Sequence, residues 1–357
     1  MSTFGSHFRV TSAGESHDKS VSCIVDNCPP GLALTEADIQ PQLDRRRPGQ
    51  SAITTPRDEK DLVTIHSGTE FGRTYDNPYT IDLYPRASHA DWTYLEKYGI
   101  KASSGGGRSS AREAIARVAA GAIAEKWLRE TYGVEIVAFV SSVGNIKLFG
   151  DADAMSAGPK FQQLATTLTR PQVDEFLPVR CPDKDATVLM EKRIAAHDST
   201  GGTVTCVVRN APPGLGEPTF DKLEALLGHA MMSIPAVKGF EVGSDFRGSE
   251  MTGSQHNDPF IVPAADGASP ATPGGRHLQR HAHVAFKPPA TISQNQTTAL
   301  YDASGAGILA AKGRHDPCVV PRVVPIVEGM AALAIADAVM AQHARLVGRQ
   351  MAAHPAN

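Results

Sequence analysis

The sequence predicts an α+β fold in which one strand–turn–helix unit occurs twice. A strand-like segment at 22–25 leads through a Pro-Pro-Gly turn to a short helix that Thr35 would cap. Segment 205–208 leads through a second Pro-Pro-Gly turn to a helical segment at 220–232. A turn of this kind after a strand also arises by coincidence. The shared order of strand, turn and helix nevertheless favours an internal duplication.

Two longer helices complete the predicted core. Between 111 and 130, apolar residues recur at three- and four-residue spacing, which is typical of a helix with one buried face. Ser110 and Glu113 form a capping box before this helix, and Gly133 follows its far end. A second apolar helix is expected at 324–341. We expect residues 1–350 to form a single domain and residues 351–357 to form a disordered tail.

Composition and charge exclude several classes of protein. The 357 residues are 41% hydrophobic and 20% charged, and the net charge of -3 provides no general attraction for nucleic acid or anionic membrane. Five cysteines without a C-x-x-C pair argue against a disulfide framework and against a structural zinc site. The first residues do not resemble a secretory signal, and no apolar run is expected to span a bilayer. These features indicate a cytoplasmic protein.

A glycine-rich segment stands directly before the first long helix. Gly105, Gly106 and Gly107 let a backbone approach a ligand closely, and the helix start offers free amide donors to an anion. Arg108 adds a full positive charge. The segment therefore predicts a phosphate-binding turn, with a flexible glycine linker as the alternative.

Three consecutive arginines, Arg45 to Arg47, end the first predicted helix. Such a run is often a solvated face or a nucleic-acid patch. Because the chain is slightly acidic overall, a small polyanion held by guanidinium groups is the favoured interpretation.

Several titratable residues occupy polar segments between apolar elements, where catalytic loops are placed. His17, His89 and Asp316 are candidates for proton transfer, although a lone histidine is more often structural. Three further histidines follow a low-complexity segment, at His277, His281 and His283. They lack a carboxylate partner at helical spacing, so a solvated segment is favoured over a metal site, and no metal is expected.

Taken together, these segments resemble the chorismate synthase family, in family order over nearly the whole chain. The matching phrases include Gly14 to His17, Arg45 to Ser51, Ser88 to Asp91, Gly105 to Glu113, Asp198 to Gly202, Ser233 to Gly239, Phe286 to Pro288 and Gly313 to Cys318. The segments 56–61 and 97–107 are most similar to the fungal branch.

The resemblance implies a β-α-β sandwich, a homotetramer and a carbon–oxygen lyase that acts on a phosphorylated small molecule. The implied reaction is the anti-1,4-elimination of phosphate from 5-enolpyruvylshikimate-3-phosphate. Reduced FMN is required without net redox change, and NADPH is a possible reductant in the fungal branch. No nucleic acid and no membrane are implied as partners.

The resemblance also implies roles for particular residues. His17 would lie at the phosphate, His89 at the flavin, and Asp316 would act with the flavin to remove the proton. The implied cofactor contacts are Arg108, Ser109, Ser110, Pro235, Ala236, Lys287, Pro288, Pro289, Ala290, Thr291 and Arg314. The implied substrate contacts are Ser16, Arg46, Arg47, Arg112 and Arg322.

The chain departs from the family pattern at four places. Asp18 follows the first histidine, Ala114 replaces a usual threonine, and the segments 76–84 and 274–283 differ from the expected loops. A carboxylate beside His17 would raise the pKa of that histidine and repel an anionic substrate. These departures keep a second hypothesis open, in which the chain is a catalytically impaired relative with a binding or scaffold role.

Overall fold

The computed structural model describes residues 2–14, 20–28, 32, 34–48, 60–65, 90, 93, 96, 110–150, 158–196, 199–257, 280–289, 295–302, 305–310 and 316–353. Within these residues, helices and antiparallel sheets occur together, which confirms the α+β class.

Three antiparallel sheets are present in the described part of the chain. The strands are β1 (Thr3–Phe4), β2 (Arg9–Ala13), β3 (Ser22–Asp26), β4 (Glu135–Val143), β5 (Ile146–Lys147), β6 (Gly202–Arg209), β7 (Val237–Val242), β8 (Arg280–Phe286), β9 (Asn295–Asp302) and β10 (Gly305–Ala310). The sheet orders are β1-β2-β3, β5-β4-β6-β8-β7 and β10-β9.

The two long helices pack between the two larger sheets, and the other helices lie around this pair or elsewhere on the fold. The helices of the described residues are α1 (Glu36–Arg46), α2 (Ala114–Tyr132), α3 (Pro159–Thr167), α4 (Arg170–Asp174), α5 (Lys184–Ile194), α6 (Leu223–Met232), α7 (Gly253–His256) and α8 (Val320–Ala353), with 3-10 turns at Ala111–Glu113 and Asp245–Glu250. Helix α2 contacts β2 and β3 on one side, while α8 contacts β4 and β6 on the other, and the two helices pack against each other. This sheet–helix–sheet layering is the predicted sandwich.

A clamp made by one asparagine closes the first strand pair. Arg9 and Asp26 are register partners on β2 and β3, and their side chains form an ion pair. The next residue, Asn27, has a φ of 59°, and its Nδ2 donates to the carbonyl oxygen of His7 at 2.7 Å. Asparagine tolerates this left-handed conformation better than most residues. The clamp turns the chain out of the sheet toward α1.

The second strand pair ends in the same way. Glu135 and Arg209 are register partners on β4 and β6 and form an ion pair. Asn210 follows with a φ of 59°, and its Nδ2 donates to the carbonyl oxygen of Gly133 at 3.0 Å. We call β2, β3 and α1 the first unit, and β4, β6 and α6 the second unit. Their matching clamps support the predicted duplication independently of the Pro-Pro-Gly turns.

The long helices α2 and α8 cross at two glycines. A Cβ atom added to Gly121 would lie 2.4 Å from the Cα atom of Gly329. Only glycine at this position allows the backbones to approach so closely. Helix α2 ends at Gly133, which adopts a φ of 67°, as its sequence predicts.

Helix α8 is longer than the sequence indicates. It starts four residues before the predicted start at 324 and continues to Ala353, so the expected domain limit at 350 falls inside a helix. By length and composition its segment Val320–Gln350 could cross a bilayer, contrary to the expectation above, but 89% of its most apolar window is buried inside the fold. The apolar side chains of that window are therefore mostly covered by the protein.

Pro325 is accommodated inside α8 by a buried arginine. Proline has no amide hydrogen, so Pro325 cannot donate to the carbonyl oxygen of Pro321. That oxygen instead accepts a hydrogen bond from Nη1 of Arg180 at 2.8 Å. Nε of Arg180 donates to Asp174 at 2.9 Å, so the buried guanidinium group also has a counter-charge.

Buried charges join the first unit to the second. Glu328 of α8 is fully buried, accepts from the backbone amide of Ala138 at 2.9 Å, and forms ion pairs with Arg45 and Arg170. Burial by itself would raise the pKa of Glu328, but Arg170 and Arg45 outweigh it and hold the pKa below its ordinary value. The carboxylate stays charged between α1 and β4.

Asp337 of α8 fixes the start of the chain. One of its carboxylate oxygens accepts from the backbone amides of Ser6 at 2.8 Å, Phe8 at 3.0 Å and also His7. Three convergent amides are a favourable environment for a carboxylate. The contact sets the position of β2, which begins one residue later.

Candidate active site

Four chain segments meet beyond the ends of β6 and β8. The backbone amide of Lys287 donates to the carbonyl oxygen of Ala236 at 2.9 Å, which joins the segments after β8 and before β7. The hydroxyl of Ser199 donates to the carbonyl oxygen of Pro289 at 2.7 Å. Pro235, Ala236, Lys287, Pro288 and Pro289, which the sequence assigns to one cofactor site, are thus in adjoining segments.

The fourth segment carries Asp316. The amide of Thr200 donates to the carbonyl oxygen of Pro317 at 2.9 Å, and Thr200 pairs with Cys318 in a parallel bridge. Residues 199–201 therefore lie between the Lys287–Pro289 segment and the Asp316–Cys318 segment. The segment that carries the predicted acid–base residue is therefore connected to the predicted cofactor segments through residues 199–201.

Backbone conformation allows this convergence at two positions. A Cβ atom on Gly201 would lie 2.2 Å from the carbonyl oxygen of Phe286, so a side chain there would push β8 away from Thr200. Ala236 has a φ of 71°, in the left-handed region, where its carbonyl oxygen meets the Lys287 amide. Left-handed backbone at a residue other than glycine is a strained state that often occurs at functional sites.

Asp316 and Arg322 form the charged pair of this region. Nη1 of Arg322 donates to Oδ2 of Asp316 at 3.0 Å. The Asp316 side chain is 27% exposed, so a ligand can reach the carboxylate, whereas that of Arg322 is largely covered. Arg322, which the sequence assigns to substrate binding, contacts the predicted base in the structure and fixes its orientation.

The N-terminus of α2, which we call its entrance, carries a second cluster of residues that are predicted to bind the cofactor or the substrate. The Ser110 hydroxyl accepts from the backbone amide of Arg112 at 3.2 Å, so Ser110 is a cap, which is the serine half of the predicted capping box. The Glu113 carboxylate accepts a hydrogen bond from the Ser12 hydroxyl of β2. This contact joins β2 to the start of α2.

The three arginines of α1 do not form one basic patch. Arg45 is bound in the Glu328 network, and Arg46 pairs with buried Asp61 at 2.5 Å. Nη2 of Arg46 also donates to the carbonyl oxygen of Ala111 at 3.3 Å, which supports the entrance of α2. Arg47, with a side chain 35% exposed, is the most accessible of the three. The expectation that all three guanidinium groups grip one polyanion is therefore wrong.

The histidines of β8 are packed inside the fold. Nδ1 of His283 and the Thr205 hydroxyl are 2.8 Å apart, Nε2 of His281 is 2.9 Å from the carbonyl oxygen of Gly243, and both rings contact Phe161. The interpretation of a solvated segment is wrong for these two residues, because they lie on a central strand of the sheet. Within the described residues, no group of three potential ligands could hold a metal ion.

Comparison with known proteins decides the family. The chorismate synthase family model matches residues 8–340. The chain is 58% identical to the chorismate synthase of Neurospora crassa, covering 98% of this chain and 93% of the relative, and 56% identical to that of Saccharomyces cerevisiae, covering 98% and 100%. A crystal structure of chorismate synthase aligns with a TM-score of 0.66 at 25% identity, covering 95% of this chain and 93% of that one.

The chain belongs to the chorismate synthase family. As a chorismate synthase it is a lyase of the shikimate pathway, and the high identity to fungal enzymes does not favour the impaired relative. The alignment with the Neurospora chorismate synthase spans 402 positions, more than the 357 residues of this chain. The alignment therefore contains positions at which this chorismate synthase has no residue.

Part of the predicted chorismate synthase site lies outside the described residues. This holds for Ser16, His17, His89, Arg108, Ser109, Ala290, Thr291 and Arg314, and also for Asp18, His277 and the altered segments 76–84 and 274–279. Their assigned roles remain predictions.

Sequence reasoning missed one contributor to the site. Ser199 and Thr200 hold the convergence together, yet their segment was matched to the family without a role. The pair Gly201-Gly202 was the available signal, because adjacent glycines at a strand start indicate close backbone approach.

Proposed function

We propose that this chorismate synthase eliminates phosphate from 5-enolpyruvylshikimate-3-phosphate at the convergence of the 199–201, 235–236, 287–289 and 316–318 segments, with reduced FMN as the cofactor. The observation that carries the proposal is the accessible Asp316 carboxylate, which Arg322 holds and which residues 199–201 connect to the Lys287 segment. A base at this place can take a proton from a substrate that the neighbouring cations bind.

The donor chemistry of the described residues fits a flavin mononucleotide. Lys287 and Arg322 supply positive charge for a phosphate group or a carboxylate. When bound, reduced FMN would supply electron density to the substrate transiently and recover it, so the reaction would have no net redox change.

The protein residues would handle the proton and the charges. We assign to Asp316 the removal of the substrate proton, and the electron pair of that C–H bond enters the new diene. Phosphate leaves with the electron pair of the broken C–O bond. His17 would donate a proton to the leaving phosphate, and His89 would serve as a second acid near the cofactor. Arg47 and Arg112 would bind the anionic groups of the substrate, and Arg46 would act by holding the α2 entrance.

The assembly and cell compartment are part of the same proposal. We infer a homotetramer, as the family resemblance implies, and exposed aromatic side chains such as Phe220, which is 90% exposed, offer apolar surface for subunit contacts. Five free cysteines agree with a reducing, cytoplasmic environment. Light scattering of the purified protein tests the tetramer. Anaerobic incubation of the protein with NADPH and oxidised FMN tests intrinsic flavin reduction.

The decisive experiment is an anaerobic assay of the purified protein with reduced FMN and 5-enolpyruvylshikimate-3-phosphate, followed by chorismate absorbance. We expect turnover with reduced but not oxidised FMN. Replacing Asp316 with Asn or His89 with Ala should lower kcat by roughly 100-fold or more, because each loses a proton-transfer group. Wild-type turnover in both variants would contradict the assigned roles. A well-folded protein without any turnover, and without growth rescue of a chorismate synthase-deficient strain, would support the impaired relative.

A further inference from the structure

Arg117 connects the two parts of the chain that carry the proposed flavin contacts. It lies on α2, whose entrance follows the glycine-rich segment, and its Nη1 donates to the hydroxyl oxygen of Ser233 at 2.6 Å. The same nitrogen is 3.9 Å from Sδ of Met330 on α8. Ser233 is the C-cap of α6 and precedes Pro235 and Ala236 by two and three residues.

The geometry of Ser233 makes this contact directional. Its hydroxyl donates to the carbonyl oxygen of Ala230 at 2.7 Å, in the last turn of α6. The hydroxyl proton is therefore used in the hydrogen bond to Ala230, and a lone pair of the hydroxyl oxygen accepts the hydrogen bond from Arg117. A serine that both donates and accepts in this way has a fixed rotamer, so it gives the guanidinium group a well-defined acceptor.

A displacement of Ser233 would reach the cofactor segments. The next residue, Ile234, is buried in the core, and the carbonyl oxygen of Ala236 accepts from the amide of Lys287. The chain between Ser233 and this hydrogen bond has little freedom to absorb a shift. Movement of the α6 end would therefore move both the Ala236 and the Lys287 segments.

The other end of the contact is equally well fixed. Arg117 lies on α2 one turn before Gly121, where α2 touches Gly329 of α8. Because the backbones meet there, α2 has little room to slide against α8. The guanidinium group of Arg117 therefore projects from a rigid support.

We propose that Arg117 is a positioning residue for the flavin site, and that its hydrogen bond to Ser233 sets the separation between Ser110 before α2 and the Pro235–Ala236 segment after α6. The inference rests on the proposed flavin contacts of these residues. A flavin mononucleotide spans a phosphate end and a ring end, so it binds well only if the two groups of contacts are correctly spaced. Arg117 itself need not touch the ligand.

The test uses a double-mutant cycle on FMN binding. Arg117→Met keeps the length of the side chain but removes its donors, and Ser233→Ala removes the acceptor. Each single variant should raise the Kd for FMN, measured by flavin fluorescence, about ten-fold, while the double variant should be no weaker than either single one. Ser233→Thr retains the hydroxyl and should bind within about two-fold of wild type. The exposed Arg129→Met on the same helix is the matched control.

The outcomes separate this inference from the proposed function. If wild type binds FMN and the single variants bind equally well, or if their effects multiply in the double variant, the positioning role is wrong. If wild type binds no FMN, the cofactor proposal fails and this inference fails with it. If Arg117→Met does not fold, the contrast between Ala and Thr at exposed Ser233 decides, with melting temperature and the KM for substrate as further measurements. A purely structural role would lower the melting temperature and leave the Kd unchanged.

Discussion

The first and second units share one local design but differ in burial. Strands β2 and β3 have five residues each and are partly exposed, and β3 is an edge strand on which Ile24 is 63% exposed. Strands β4 and β6 have nine and eight residues and are buried along most of their length. The asparagine clamp is the same in both, so it depends on local sequence, whereas strand length and burial depend on the neighbouring elements.

The two units accordingly differ in role: the second contributes mainly to the core, and the first mainly to the segments assigned to ligand binding. The second unit lies in the five-stranded sheet against α8 and supplies much of the core. The first unit leads to the segments assigned to substrate binding, and its helix α1 contributes arginines that pair with distant carboxylates. A duplicated scaffold can therefore specialise one copy for stability and the other for ligand contacts.

Breaking the link between the units should have the largest effect. Replacing Glu328 with Gln leaves Arg45 and Arg170 buried without this counter-charge and should lower the free energy of unfolding by about 3–5 kcal/mol. Urea unfolding measures the change. The matched control is Glu135→Gln, at an exposed pair inside the second unit, which should cost at most about 1 kcal/mol. Similar losses in both variants would mean that the network does not couple the units.

Acid should weaken the five-stranded sheet, which contains the strands of the second unit, through the buried imidazole of His283 on β8. Burial, and then neighbouring His281, lower the pKa of His283 from 6.5 to about 4. The unfolded chain therefore binds the proton first, and the free energy of unfolding falls as the pH decreases from about 6.5 to about 4, by roughly 3 kcal/mol at most. His283→Asn, which can still bond to Thr205, should flatten this slope in urea unfolding at pH 7 and pH 4.5. The exposed His256→Gln should retain it, and a wild-type slope in His283→Asn would contradict the assignment.

Substitutions at the two asparagine clamps should have the smallest effects on stability, and they compare the two units at equivalent positions. Alanine at position 27 or 210 loses the side-chain hydrogen bond and strains the left-handed backbone, so each should cost about 1–2 kcal/mol. Glycine removes the strain and should recover about half of the loss. Thermal unfolding of both pairs of variants measures whether the clamps are equivalent. A large loss at one position and none at the other would mean that only one unit still needs its clamp.

The sequence predicted the parts of the molecule that depend on local chemistry. The Ser110 cap, the Gly133 stop and the two strand–turn–helix units follow from residue preferences that act over a few positions. The convergence of Ala236, Lys287 and Asp316 was reached only through the resemblance, because no local pattern relates segments so distant in sequence.

The remaining features depend on contacts that no local pattern reveals. The ion pair between Arg45 and Glu328 forms only because α8 packs near α1, and His283 is buried only because other elements pack on β8. The extension of α8 through Pro325 was missed because proline normally ends a predicted helix. Here Arg180, which belongs to a distant segment, binds the carbonyl oxygen that the helix cannot use.

The contact between Asp337 and the amides of Ser6, His7 and Phe8 restricts the choice of amino acid at position 337 much more than at positions 6 and 7. Every amino acid except proline offers the same amide hydrogen, so positions 6 and 7 can change with little consequence for this contact. No substitution of Asp337 reproduces a compact oxygen acceptor at that point on the helix. A saturation mutagenesis experiment should therefore show broad tolerance near the amino terminus and a nearly fixed aspartate more than three hundred positions away.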